Sequence, residues 1–215
     1  MVKIFTNTHI FKFPWESWIE KRKNITKFVS VTNVWWQKYP NPHSLQVETA
    51  DTIDRSLDKS TGELITRRLI AASLVPPSWM QSLGFPSYCY VLEEARVNPK
   101  TKEMVLRSVN VTGNSLLQIR ETCRYTPCEK NPNEWTSYQQ TAEIISGIPL
   151  FSTPIEGFSF SVHSSNAVKG LIAMEELCER WAKEGMEGFQ KRLCNRLDMV
   201  LLMDNIHDIR KQRKS

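Results

Sequence analysis

The residues of this chain best placed to do chemistry are cations that flank apolar stretches. Lys38 stands just before a long alternating segment, Arg67 and Arg68 lie within the next, and Lys169 sits where a helical pattern begins. An ammonium or guanidinium at the edge of an apolar space offers charge-assisted hydrogen bonds to a phosphate or carboxylate. Spacing alone leaves open whether these cations meet at one end of an interior space or stand apart as surface charge. The sequence contains no GxSxG, Walker loop, HExxH or Rossmann fingerprint. His9, His43, His163 and His207 are scattered, with no carboxylate or cysteine at catalytic or ligand spacing. The chain is therefore expected to be no enzyme, to take no cofactor and to hold no metal.

Apolar residues at 40% and charged residues at 24% are ordinary globular values. No apolar run approaches the roughly 18 residues of a transmembrane helix. The net charge of +5 suits an anionic partner. Much of it is concentrated in Lys21, Arg22, Lys23 and Lys27 and in Arg210, Lys211, Arg213 and Lys214, and the bases are not interleaved with aromatics as a nucleic-acid surface requires. The start, MVKIFTNTHIF, carries neither a signal-peptide apolar core nor an Arg/Ser-rich presequence. Five cysteines without CxxC or Cys/His spacing predict free, mostly buried thiols.

Behind the candidate cations the chain alternates. Leu45, Val47, Thr49, Ile53 and Leu57 share one parity, predicting a long half-buried strand, and 58–62 (DKSTG) turns it into a second over 63–72. Further strands are expected over 88–97, over 102–111 with Val105, Val109 and Val111 on one side, over 117–125, and over 135–145. Such a meander must cover an apolar face. The cover is a helix of about five turns, with 164–166 (SSN) as N-cap candidates and Val168, Leu171, Ile172, Leu177, Cys178 and Trp181 at helical spacing. Gly185 and Gly188 are expected to interrupt it before a second amphipathic pattern that packs on the exterior or meets a membrane or partner. Near the front, a helix is expected to begin at Pro14. Between two strands, residues 73–85 (SLVPPSWMQSLGF) form an apolar connection that either packs as a loop or moves as a lid.

The succession THIF, PWE, QKYPNP, DTIDRSLD, GELITRRL, YVLEEARVNPKTKEM and SSNAVKGLIAMEE resembles the PRELI domain family, and within it the slowmo-like members, over residues 1–183. The resemblance implies an α+β fold, a curved antiparallel sheet of about seven strands wrapped around a long C-terminal helix and enclosing a lipid cavity. It also implies an intermembrane-space carrier of an anionic phospholipid between mitochondrial membranes, with phosphatidic acid the first choice and phosphatidylserine the alternative. Implied partners are the phospholipid cargo, a small twin-Cys helical-hairpin protein in a heterodimer, and a transient membrane surface, with no nucleic acid. The matching head-group residues are Lys38, Arg68 and Lys169, and the lid loop is carried by Leu74, Val75, Trp79, Met80 and Leu83.

This chain departs from the family pattern in four places. Ala72 stands where some members carry lysine, Val162 or His163 where another base is expected, residues 19–31 contain a basic insert, and 184–215 form a helical basic extension after the 1–183 domain. These departures leave two further readings, a PRELI-fold interaction protein that has lost transfer, and a membrane-surface adaptor acting through the insert and tail.

Overall fold

The computed structural model describes residues 2–15 and 30–212, with α-helical side chains described as far as residue 183. Seven strands form one sheet: β1 (Val2–Phe11), β2 (Val47–Leu57), β3 (Leu64–Ser73), β4 (Tyr88–Asn98), β5 (Glu103–Asn110), β6 (Leu117–Pro127) and β7 (Thr136–Ser146). Their order is β1-β7-β6-β5-β4-β3-β2, and every neighbouring pair is antiparallel. The meander read from the period of two is present, with β1 returning to close it against β7. The helices are α1 (Val31–Trp35), α2 (Ser78–Gln81) and α3 (Ser152–Gln212), the last preceded by a single 3₁₀ turn (Pro149–Phe151).

The α3 helix packs on β1, β7 and α1. It begins a dozen residues before the expected cap. Ser164 is an interior helical residue whose hydroxyl donates to the Phe160 carbonyl at 2.8 Å, so a good capping type is satisfied by back-bonding one turn earlier. Nor do Gly185 and Gly188 end it: the helix continues to Gln212, because a glycine costs only about 1 kcal/mol among strong helix formers.

The expected half-buried character of β2 is not found. It is an edge strand, exposed over most of its length, with register shifts between Val47 and Thr49 and between Thr52 and Asp54. Each shift flips the pleat, so Val47, Ala50, Thr52, Arg55 and Leu57 oppose the inward residues of β3 instead of the single odd-numbered set. Val105 and Val109 of β5 share one side as expected, the side opposite Met104 and Leu106, which oppose the buried Tyr125 and Cys123; Val105 is itself buried.

One end of the inner face is dry. Phe11, Trp15, Val34, Trp35, Met104, Tyr125, Tyr138, Met174, Cys178 and Trp181 belong to one buried cluster. The helix expected at Pro14 does not start there. Instead the Val31 N–H donates to the Pro14 carbonyl at 3.0 Å and the Thr32 hydroxyl to the Trp15 carbonyl at 2.8 Å, with Ser30 capping α1. The chain thus leaves at Trp15 and returns at Ser30 to the same spot; the insert, apart from Ser30 and Val31, lies outside the described residues.

Candidate functional site

Strand register puts one row of residues across the inner face at mid-sheet. Thr52, Arg68, Glu93, Ser108, Glu121, Ala142 and Phe5 are successive cross-strand partners from β2 to β1. Three of the seven are ionisable, although they lie on the face that elsewhere carries the core. On one side of the row stand the residues of the dry cluster. On the other stand Ile70, Val91, Ile119 and Ile144, an apolar stretch that leads to the strand ends where residues 73–87 connect β3 to β4.

Arg68 is buried, at 4% exposure, and is held from two sides. Its Nε and Nη2 donate to Glu93 Oε1 at 2.9 and 2.7 Å, and its guanidinium lies 3.9 Å from the centre of the Trp35 ring. Arg67, one residue away, points outward and pairs with Asp54 and Glu94. Period-two geometry separates the two arginines completely.

Lys38 reaches the same region from the other side. Its Nζ lies 5.4 Å from the Tyr39 ring centre, and a Cβ added to Gly170 would come within 3.2 Å of it. Burial works to lower its pKa, but Tyr39, Cys123, Glu121 and Glu93 together hold it above the ordinary lysine value, so the ammonium stays charged. Among the described residues it makes no ion pair within 4.0 Å, which leaves it free to meet an added anion where Arg68 is already engaged. The segment 39–43 fixes its approach: the Tyr39–Pro40 bond is cis, Asn41 Nδ2 donates to the Lys38 carbonyl at 2.8 Å, and the His43 N–H donates to Asn41 Oδ1 at 2.9 Å.

Lys169 does not join this cluster. It is exposed, and a step of about 100° per residue along α3 turns it off the line on which Gly170 meets Lys38. His163 does approach, with Nε2 3.5 Å from Glu121 Oε2 and its ring edge-on to Phe5. Burial lowers its pKa against the pull of Glu121, favouring the neutral imidazole. Gln140 Oε1 and His163 Nε2 are buried without a hydrogen-bond partner among the described residues. Cys123 Sγ donates to Glu121 Oε1 at 2.8 Å and accepts from the Tyr138 hydroxyl at 3.2 Å. Burial pushes the Cys123 thiol and the Tyr125 and Tyr138 phenols well up, as expected where the dry cluster begins.

The carboxylates of the site were legible in the strand pattern. Glu93 has the parity of Val91, Ala95 and Val97, and Glu121 that of Ile119, Cys123 and Tyr125, so each is an acid on the apolar face of its strand. A hollow of about 630 Å³ is lined mostly from the opposite face of the sheet, by Glu94, Arg107, Arg120 and Glu143 among others, and also by Ser108 and Glu121 of the row; it includes none of the three candidate cations.

The connection over residues 73–87 carries α2. Met80 is buried and the backbone N–H of Phe85 donates to its carbonyl at 3.2 Å, while Leu74, Val75 and Trp79 are exposed and Leu83 is half-buried. Met80 and the buried Pro76 therefore anchor the segment, and Leu74, Val75 and Trp79 face outward. The four described cysteines are free and buried, as their spacing predicts.

Residues 29–184 match the PRELI-like family model. Among curated proteins, "Protein UPS2, mitochondrial" of Saccharomyces cerevisiae is 30% identical over 189 residues, covering 85% of this chain and 76% of that one. A "UPS-like protein" of Schizosaccharomyces pombe is 32% identical over 195 residues, covering 89% and 95%, and "Protein slowmo homolog" of Dictyostelium discoideum is 31% identical over 161 residues, covering 73% and 69%. Among solved structures, TTHA0849 of Thermus thermophilus shares the fold with a TM-score of 0.52 at 14% identity, over 83% of this chain and 98% of that one.

Proposed function

The chain belongs to the PRELI-like family, and on that premise we propose that it carries an anionic glycerophospholipid between membranes of the mitochondrial intermembrane space. The observation that supports this reading best is the ionic row set into an apolar inner face, with Lys38 uncommitted above it. A two-chain lipid exposes about 30 methylenes, each worth about 0.8 kcal/mol, so on the order of 20 kcal/mol has to be offset by an enclosing apolar wall. The inner faces of β3 to β7 beyond the row supply that wall, and the row meets the head group. Lys38 binds the phosphate, Arg68 contributes through the Glu93 pair, and Lys169 acts from the flank as the head group enters. No bond is made or broken in this role. A small twin-Cys helical-hairpin protein is the proposed partner.

The sequence reading puts phosphatidic acid first. The two inward carboxylates and the Gln140 carbonyl favour the alternative, because these acceptors suit a head group that brings its own ammonium. We therefore place phosphatidylserine ahead of phosphatidic acid. Vesicle-to-vesicle transfer with a twin-Cys partner, run with each lipid, tests the proposal. Transfer of phosphatidylserine at several times the rate of phosphatidic acid is expected; equal or reversed rates overturn the preference. Absence of both transfer and co-purifying phospholipid overturns the carrier reading in favour of an interaction protein.

A further inference from the structure

Hydrogen-bond acceptors from three elements gather around the smallest side chain of the ionic row. Ala142 of β7 is fully buried between Glu121 of β6 and Phe5 of β1, its cross-strand partners. Gln140, the next inward residue of β7, opposes Cys123, whose Sγ donates to Glu121 Oε1. His163 comes in from α3, its ring edge-on to Phe5 at 5.0 Å between centres and its Nε2 3.5 Å from Glu121 Oε2, the outer limit of a hydrogen bond. Among the described residues nothing donates to Gln140 Oε1, and His163 Nε2 has no hydrogen-bond partner.

Buried polar atoms left unpaired in a native fold call for a partner that arrives from outside. Beside a carboxylate, the partner that suits two further acceptors is a primary ammonium, which has three N–H donors and a positive charge. Lys38 lies close enough to Glu121 for the carboxylate to help raise its pKa. A phosphate held by Lys38 therefore places a group a few bonds away within reach of Glu121, Gln140 and His163.

We propose that His163 selects the head group of the cargo: with Glu121 and Gln140 it forms an acceptor site for a primary ammonium, and a proton taken up at its own Nε2 closes that site. The inference rests on the carrier reading above. In the neutral ring the Nε2 lone pair faces the ammonium; once protonated, Nε2 donates to Glu121 and repels it. One cation replaces another, so the charge of the site is unchanged.

The surroundings leave Glu121 as the charge that faces the imidazole. Lys38 faces Glu121 from the other side, Arg68 of β3 and Glu93 of β4 are paired with each other, and His9 of β1 is paired with Glu175. Lys3, also inward on β1, lies 5.7 Å from the Phe160 ring centre, about a turn before His163. The inward residues of β5 and β7 include no Asp, Glu, Lys, Arg or His. Burial lowers the His163 pKa, so the acceptor form holds at pH 7.5 and the proton enters below the ordinary histidine value of about 6.5.

Loading the full chain from vesicles of equal phosphatidylserine and phosphatidylglycerol, with bound lipid counted by mass spectrometry at pH 7.5 and 5.0, tests this role. Both lipids carry one net negative charge over that range, and only phosphatidylserine brings an ammonium. The ratio of phosphatidylserine to phosphatidylglycerol is expected to fall about fivefold between the two pH values in the wild type. His163→Gln, which cannot take the proton, is expected to give the same ratio at both. Gln140→Leu removes one acceptor and leaves the imidazole, so its ratio should be about threefold lower at pH 7.5 and still fall with pH. A wild-type ratio that does not change with pH overturns the proposal, as does a fall that persists in His163→Gln. Loading of both lipids at a pH-independent ratio removes the role of His163 and leaves the carrier; no loading of either lipid at both pH values removes the carrier, and this role with it.

Discussion

At the residue scale, the site depends on what is missing at one position. Gly170 lies on α3 where any side chain would press on the Lys38 ammonium at 3.2 Å, so the glycine keeps open the route by which Lys38 reaches the ionic row. Gly170→Ala raises helix propensity by up to about 1 kcal/mol, and the flexible end of Lys38 can yield to the methyl group. Denaturation should therefore show unchanged or slightly raised stability, while lipid extraction falls roughly tenfold, the equivalent of one weakened charge-assisted hydrogen bond. Equal loss of both would show that Gly170 serves packing alone. His163 makes a separate claim. Its pKa is lowered by burial, so below the ordinary histidine value the unfolded chain binds more protons than the folded one. Its contribution to stability is present above about pH 6.5 and is lost as pH falls through the lower folded value. His163→Gln should flatten that part of the curve, measured as the wild-type minus variant difference in urea midpoint between pH 7.5 and 5.5. A difference that does not change with pH would refute it.

At the element scale, the lid divides into an anchor and a face. Met80→Ala removes a buried side chain and should cost about 2 kcal/mol or more, seen as lowered melting temperature and faster proteolysis within residues 73–87. Trp79→Ala, at a half-exposed position, should leave melting within about 0.5 kcal/mol of wild type but slow transfer more than it lowers equilibrium lipid occupancy. If Trp79→Ala destabilises as much as Met80→Ala, the segment is a packed loop. The same elements show how far the sequence was readable. Period-two runs located β2 to β7 closely, because strand faces are set by local alternation. The failures came where non-local contacts outweigh local preference. Edge position and two bulges expose β2, the Phe160 carbonyl takes the Ser164 hydroxyl from its capping role, and the returning Val31 N–H meets the carbonyl of Pro14, where a helix was expected. Of the site, spacing offered Lys38, Arg67, Arg68 and Lys169 without separating them, and the family resemblance singled out Lys38, Arg68 and Lys169; pairing of Arg68 with Glu93 depends on register between strands, which composition does not carry.

At the scale of the whole molecule, the described residues on either side of the insert are held at one end of the sheet. Phe11 pairs with Thr136 at the end where the β6–β7 turn lies, and the chain departs from Trp15 a few residues later. Trp15 itself is fixed, buried in the dry cluster with its Nε1 donating to the Tyr125 carbonyl at 3.1 Å. Ser30 to Trp35 return to the same cluster, and Ser30, Thr32 and Val31 close the gap with hydrogen bonds to one another, to Asn33 and to Pro14 and Trp15. Both flanks of the insert are therefore secured by contacts among the described residues, at the opposite end of β1 from Val2. Replacing residues 18–27 by a short Gly-Ser link should preserve the fold, because the flanks are already held together and joining fixed ends by a shorter flexible link changes closure entropy by only about 0.6 kcal/mol per halving. It should also leave transfer rates within about twofold, while lowering any salt-dependent binding to anionic vesicles that Lys21, Arg22, Lys23 and Lys27 supply. Melting temperature, transfer and flotation on anionic vesicles, measured on the shortened chain, decide the point. Loss of transfer with melting unchanged would assign membrane recognition to residues 18–27 and favour the adaptor reading over the carrier.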